Sequence, residues 1–167
     1  NKPNLAIMAC TIDTAFWQCW IASTHEEMTE LVKYRGVEGL LPISINGVKI
    51  QDEEVWTSCK VPIPGAETRY FSNIDASELS KLMTEYRQKN WKPIRLCQHL
   101  IAESPRFFVL FRDNPHQIPW EFSDRISESD FEMLIETNKA KGLVPSQFCS
   151  EAGADGVWYH VIWMGTK

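Results

Sequence analysis

Asp75-Ala76-Ser77-Glu78-Leu79-Ser80-Lys81-Leu82-Met83-Thr84-Glu85-Tyr86-Arg87-Gln88-Lys89-Asn90-Trp91-Lys92-Pro93 decides the fold, because it spells a helix with its start, its buried stripe and its stop. Asp75 is a good N-cap, and Glu78 three residues on completes a capping box, with an acid where the helix dipole favours it. Leu79, Leu82 and Met83 stand at i, i+3 and i+4, which gives the helix one apolar face. Asn90 tolerates the left-handed φ that ends a helix, and Pro93 opens a β-like run.

The same pattern occurs three times. Pro42, Pro93 and Pro145 are 51 and 52 residues apart, and Met28, Leu79 and Phe131 stand fourteen residues before them. Leu31, Leu82 and Leu134, then Val32, Met83 and Ile135, complete the stripes. The caps are Thr24, Asp75 and Ser127, followed at the third position by Glu27, Glu78 and Asp130. Gly39, Asn90 and Gly142 are the stops. The spacing predicts helices at about 24–36, 75–89 and 127–141, and a period of this length marks a repeat architecture.

Paired extended runs follow each proline. Phe107-Phe108-Val109-Leu110-Phe111 aligns with Tyr159-His160-Val161-Ile162-Trp163, with Phe16-Trp17-Gln18-Cys19-Trp20, and more loosely with Val55-Trp56-Thr57-Ser58-Cys59. Tyr70-Phe71-Ser72 matches Glu121-Phe122-Ser123, each just ahead of a cap. Short connections such as Glu103-Ser104-Pro105 favour hairpins over a parallel βαβ fold. The expected class is α+β: tandem αββ repeats whose antiparallel hairpins form a curved sheet or half-barrel with helices on one face. The copies fall at about 1–23, 24–74, 75–126 and 127–167 of a single repeat-built domain. Because the chain starts almost at a repeat boundary, a segment of a longer protein is expected. The strands are apolar on both faces, so the face away from the helix must also be covered, by the sheet curling, by a neighbouring domain or by a ligand.

Composition narrows the function only by exclusion. The 167 residues are 44% apolar and 23% charged, near globular averages. A net charge of −5 without basic runs argues against nucleic-acid binding as the main task. No apolar run approaches the ~20 residues of a membrane helix, and no basic start leads into an apolar stretch. Cys10, Cys19, Cys59, Cys97 and Cys149 lack metal-site spacing and read as small buried hydrophobes; neither metal nor cofactor is expected, and the compartment stays open. Cys97 and Cys149, at equivalent places, are expected to remain unbridged.

Four residues carry a catalytic alternative. Cys97 and His99 lie two apart on a strand and so on one face. His116 lies in the insertion His116-Gln117-Ile118-Pro119-Trp120. His160 occupies a slot that holds Phe108 in another copy, where the plain reading is a buried ring with one hydrogen bond. Nucleotide, zinc-protease and serine-hydrolase motifs are missing from the sequence. Seven tryptophans are the outlier; Trp17, Trp56, Trp120 and Trp158 are expected to be exposed and to contact a ligand.

A helix, then G/N-[LW]-x-P, then an aromatic strand pair resembles the bacterial tandem-repeat modules that accompany catalytic domains. It is also similar to the repeat-built N-terminal domain of polyglycine hydrolases. Asn90-Trp91-Lys92-Pro93 keeps the aromatic residue of that pattern, while Gly39-Leu40 and Gly142-Leu143 keep its glycine. In that family the resemblance implies that peptidase chemistry belongs to a separate β-lactamase-like domain, whose SxxK motif this sequence lacks. The expected function is a non-catalytic module that recognises a protein, peptide or glycan, or docks an adjacent catalytic domain, with neither nucleic acid nor membrane as partner. The alternative is a peptidase-like hydrolase with a site at an irregular copy.

Overall fold

The computed structural model describes residues 18–22, 26, 40–50, 53–62, 67–101, 104–153 and 156–165, with side chains chiefly from Glu67 onward. In chain order the elements are β1 (Gln18–Ala22), β2 (Leu40–Ile50), β3 (Glu53–Pro62), β4 (Thr68–Ile74), α1 (Ala76–Gln88), β5 (Trp91–Ile101), β6 (Ser104–Asp113), β7 (Trp120–Ile126), α2 (Glu128–Ala140), β8 (Leu143–Gly153) and β9 (Gly156–Gly165). The helix expected at about 24–36 lies outside the described residues except for Glu26, which is helical.

The helix boundaries follow from the caps. Glu78 N–H donates to Asp75 Oδ1 at 2.8 Å, and Asp130 N–H donates to Ser127 Oγ at 3.1 Å. The Ser127 hydroxyl in turn donates to Asp130 Oδ2 at 2.8 Å, so the shorter acid closes its box on the hydroxyl. Asn90 (φ 60°) and Gly142 (φ 74°) take the left-handed conformation that stops each helix.

The fold is α+β with antiparallel sheets, but the strands do not form one continuous curved sheet. Among the described residues they separate into three three-stranded sheets of identical order: β1-β3-β2, β4-β6-β5 and β7-β9-β8. Every pair of described strands joined by hydrogen bonds is antiparallel. The strand ahead of each helix, read from sequence as the end of the preceding copy, pairs with the second strand of the hairpin that follows the helix. The second and third sheets therefore belong to βαββ units (68–113 and 120–165) displaced by one strand from the αββ copies, and the first sheet (18–62) shares their strand order. The physical reason is a split β-α-β crossover: β4 and β5 run the same way, and β6 fills the gap between them. The register also moves by one residue, since Phe71 faces Val109 while Ser123 faces Val161. That makes Phe71 the counterpart of Ser123.

Each repeated proline marks a bulge. The ladder slips between Pro42 and Ser44, Pro93 and Arg95, and Pro145 and Gln147. All three lie on edge strands, where a missing N–H is tolerated. A second bulge precedes each described helix, with Asn73 (φ 55°) and Arg125 (φ 45°) left-handed at equivalent places.

The two-sided hydrophobicity of the strands is explained by stacking of units. On the near face of the second sheet, Phe107, Val109, Phe111 and Leu96 pack with Leu79, Leu82, Met83 and Tyr86 of α1. The same cluster takes in Trp120 and Ile162 from the third unit, with Phe122, Cys149 and Met164 packed against it. Thus α1 is enclosed between its own sheet and the far face of the next sheet. Tyr86 stacks on Phe111 at 4.4 Å and meets Trp91 edge-on at 5.5 Å. The near face of the third sheet forms its own cluster, in which Leu143, Val161 and Trp163 meet Phe131, Leu134 and Ile135 of α2.

Candidate functional site

The polar side chains that stand out lie where α1 meets the far face of the third sheet. The left-handed turn at Arg125 and the bulge before Ile126 release Asp124 from the ladder. Asp124 Oδ2 accepts the Ser80 hydroxyl of α1 at 2.8 Å, and Asp124 Oδ1 lies 2.8 Å from His160 Nδ1. With the carboxylate ionised, the ring N–H donates. The hydrogen bond from His160, more than any other influence, holds the Asp124 carboxyl below its usual range against the opposing effect of burial.

His160 itself is 1% exposed, and the edge of its ring meets Phe107 at 4.7 Å. Its Nε2 has no hydrogen-bond partner among the described residues; Glu151 Oε2 is 3.8 Å away, beyond bonding distance. Glu151 Oε1 pairs with Arg125 Nε at 3.3 Å, and the Arg125 guanidinium lies 4.8 Å from the centre of the half-buried Trp158 ring. Cys149 faces His160 across the β8–β9 ladder. Burial, followed by the neighbouring Cys97, Glu151 and Asp124, pushes its thiol up to about 12, so at neutral pH it is not the thiolate a nucleophile requires. The Ser80 hydroxyl is committed to Asp124 and not to a base. What the arrangement does chemically is lock a helix of one unit to a sheet of the next.

A second set of contacts closes the same junction. Asn114, 4% exposed, donates through Nδ2 to the Ile118 carbonyl at 2.9 Å and accepts from Ile118 N–H at 3.0 Å. Asn90 Nδ2 donates to the Asn114 carbonyl at 3.1 Å. Pro119 then approaches Gly165 so closely that a Cβ there would lie 2.7 Å from Pro119 Cγ, and Gly165 N–H donates to the Pro119 carbonyl at 2.8 Å. The loop after β6 is thus held at both ends.

The predicted site residues scatter. Trp120, expected at the surface, is buried: its Nε1 donates to the Trp91 carbonyl at 2.8 Å and Arg87 lies over its ring at 4.5 Å. Trp158 borders the His160 cluster through Arg125. Trp17, and the side chain of Trp56 in β3, lie outside the described residues, as does the side chain of His99 in β5. His116 is exposed on the junction loop. Cys97 and Cys149 are not disulfide-bonded, and burial raises the Cys97 thiol as well. Sequence reasoning did not select Asp124, Ser80 or Glu151. In the register of the paired strands Asp124 and His160 replace Ser72 and Phe108, a double departure between copies that aligning Ser72 with Ser123 by sequence hides. Among the described residues, no cluster of three or more His, Cys, Asp or Glu could hold a metal, and no helix is long and apolar enough to cross a membrane.

No curated protein matches the chain significantly. Residues 117–166, running from the junction loop through β7, α2, β8 and β9, match the family model described as the polyglycine hydrolase-like structural repeat, and over its third unit the chain is similar to that repeat.

Proposed function

We propose that this chain is a non-catalytic repeat module that recognises a protein, peptide or glycan, or docks a catalytic domain of a longer polypeptide. The observation that carries this reading is how His160 is used: the polar group best suited to chemistry is sealed in the core and spent on joining two units. Stacked copies of one layer favour extended surfaces over a single reaction centre. In this reading residues 1–167 form one repeat-built domain, curved by stacking of its helix–sheet layers, and Trp17, Trp56 and Trp158 contribute to the recognition surface. The description of the matching family as polyglycine hydrolase-like makes glycine-rich peptides the first ligands to try.

The test is titration of the intact chain with glycine-rich peptides and with neutral oligosaccharides, followed by tryptophan fluorescence. Binding that Trp158→Ala weakens about tenfold without unfolding the chain supports the reading. Turnover of those peptides that His99→Ala, His116→Ala or His160→Ala abolishes, with stability unchanged, would instead establish the hydrolase alternative.

A further inference from the structure

One buried nitrogen of the junction is left over by the contacts described so far. The bond from His160 keeps the Asp124 carboxyl below its usual range, so at neutral pH Asp124 is ionised and can only accept. The ring proton therefore sits on Nδ1, and in the neutral ring Nε2 carries a lone pair. That lone pair belongs to a ring 1% exposed and has no hydrogen-bond partner among the described residues. Glu151 Oε2, 3.8 Å from it, is another acceptor. A lone pair buried against a carboxylate oxygen is unfavourable, and a proton between them reverses the sign of the contact.

The groups that face the ring allow this. From β7 come Asp124 and Arg125, and Arg125 is held on the other Glu151 oxygen, Oε1, which leaves Oε2 to the ring. From β8 come Glu151 and Cys149, and Cys97 of β5 lies beyond Cys149; both thiols are pushed up and stay neutral. Helix α1 reaches the ring through the Ser80 hydroxyl on Asp124, and β6 through the Phe107 ring. We infer that His160 Nε2 and Glu151 Oε2 form a proton-binding site that makes the junction of the second and third units a pH-sensitive lock. The Nε2 lone pair takes a proton from solvent, no bond breaks, and the ring gains one positive charge. Imidazole is a stronger base than carboxylate, so the proton rests on the ring. The imidazolium then donates to Glu151 from Nε2 and to Asp124 from Nδ1, and so fixes the carboxylate that holds Ser80 of α1. The second sheet has Phe108 and Ser72 at the places of His160 and Asp124 and so lacks the device. The unfolded chain does not offer the ring two carboxylates, so folding takes up this proton. The added stability is present on the acid side of the range in which histidine titrates and is lost as pH rises through it. The inference stands independently of the recognition reading.

Thermal unfolding of the full chain at a series of pH values from about 8 to about 5 tests it against Glu151→Gln and His160→Phe. Glu151→Gln keeps an oxygen for Arg125 but removes the charge, and His160→Phe installs the ring of the second unit. As pH falls, the wild-type midpoint should rise relative to both variants by about 2–4 °C. Nitrogen-15 spectra of the His160 ring in the folded wild type supply a readout that needs no variant. They should show the Nδ1–H tautomer at the upper pH and protons on both nitrogens at the lower. A midpoint difference that is the same at every pH, or that shrinks on acidification, would overturn the inference. So would a His160 ring that stays neutral down to the onset of acid unfolding, or one that carries its proton on Nε2 at the upper pH.

Discussion

Helices α1 and α2 carry the same instructions and meet different surroundings. Each spans thirteen residues, starts at a side-chain cap and ends at a left-handed residue. Yet Leu79, Leu82, Met83 and Tyr86 of α1 are buried, whereas Asn138 is the one buried residue of α2. Local sequence makes the helix; the next unit completes its burial. A βαββ layer on its own shields only one side of its helix, and the comparison locates the remaining stability at the contact between units.

Truncating equivalent leucines is the strongest way to break this comparison. Leu82→Ala removes a side chain enclosed from two directions and is expected to cost about 3 kcal/mol. Leu134→Ala, half-buried against one sheet, should cost about half as much. Urea denaturation of both variants checks the ratio; equal losses would mean that the third sheet adds nothing to the burial of α1.

Asn138 sharpens the contrast. It stands where α1 has Tyr86, and it is 1% exposed with neither amide atom hydrogen-bonded among the described residues. An unsatisfied buried amide costs on the order of 1–3 kcal/mol. Asn138→Leu should therefore stabilise the protein by about 1 kcal/mol, seen as a raised thermal midpoint. A lowered midpoint would show that the amide has a partner in solution.

The smallest effect concerns the polar clamp and depends on pH. The folded pKa of Asp124 lies below the ordinary value of about 3.9. Its contribution is therefore complete above that value and is lost as pH falls through the folded pKa. Asp124→Asn should be less stable than the wild type at neutral pH, with the gap closing in acid. A gap that stays constant down the acid limb would remove Asp124 from the account.

Much of this architecture was readable from local signals. The caps Asp75 and Ser127, the stops Asn90 and Gly142 and the doubly apolar strand Phe107–Phe111 each carry their meaning within a few residues. The strand before each helix was misplaced because its partner is distant: Tyr70 pairs with Leu110, across the whole helix and hairpin. Trp120 was misjudged for the same reason, since its hydrogen-bond acceptor lies 29 residues away on Trp91. His160 was readable as a buried ring because it replaces an aromatic residue. Its partners were not, because Asp124 reaches it only through a bulge that hydrophobic periodicity does not encode. Compensation between copies is equally hidden: Phe71 meets Phe111 edge-on at 6.2 Å, while Ser123 in the same place accepts a hydrogen bond from Trp163 Nε1 at 3.0 Å.

Native-state hydrogen exchange tests the central claim, that α1 is sealed by the unit after it, most directly. The amides of Leu82, Met83 and Tyr86 should exchange only through global unfolding, while those of Leu134, Ile135 and Asn138 exchange through a lower-energy local opening. Equal protection of the two helices would contradict the account.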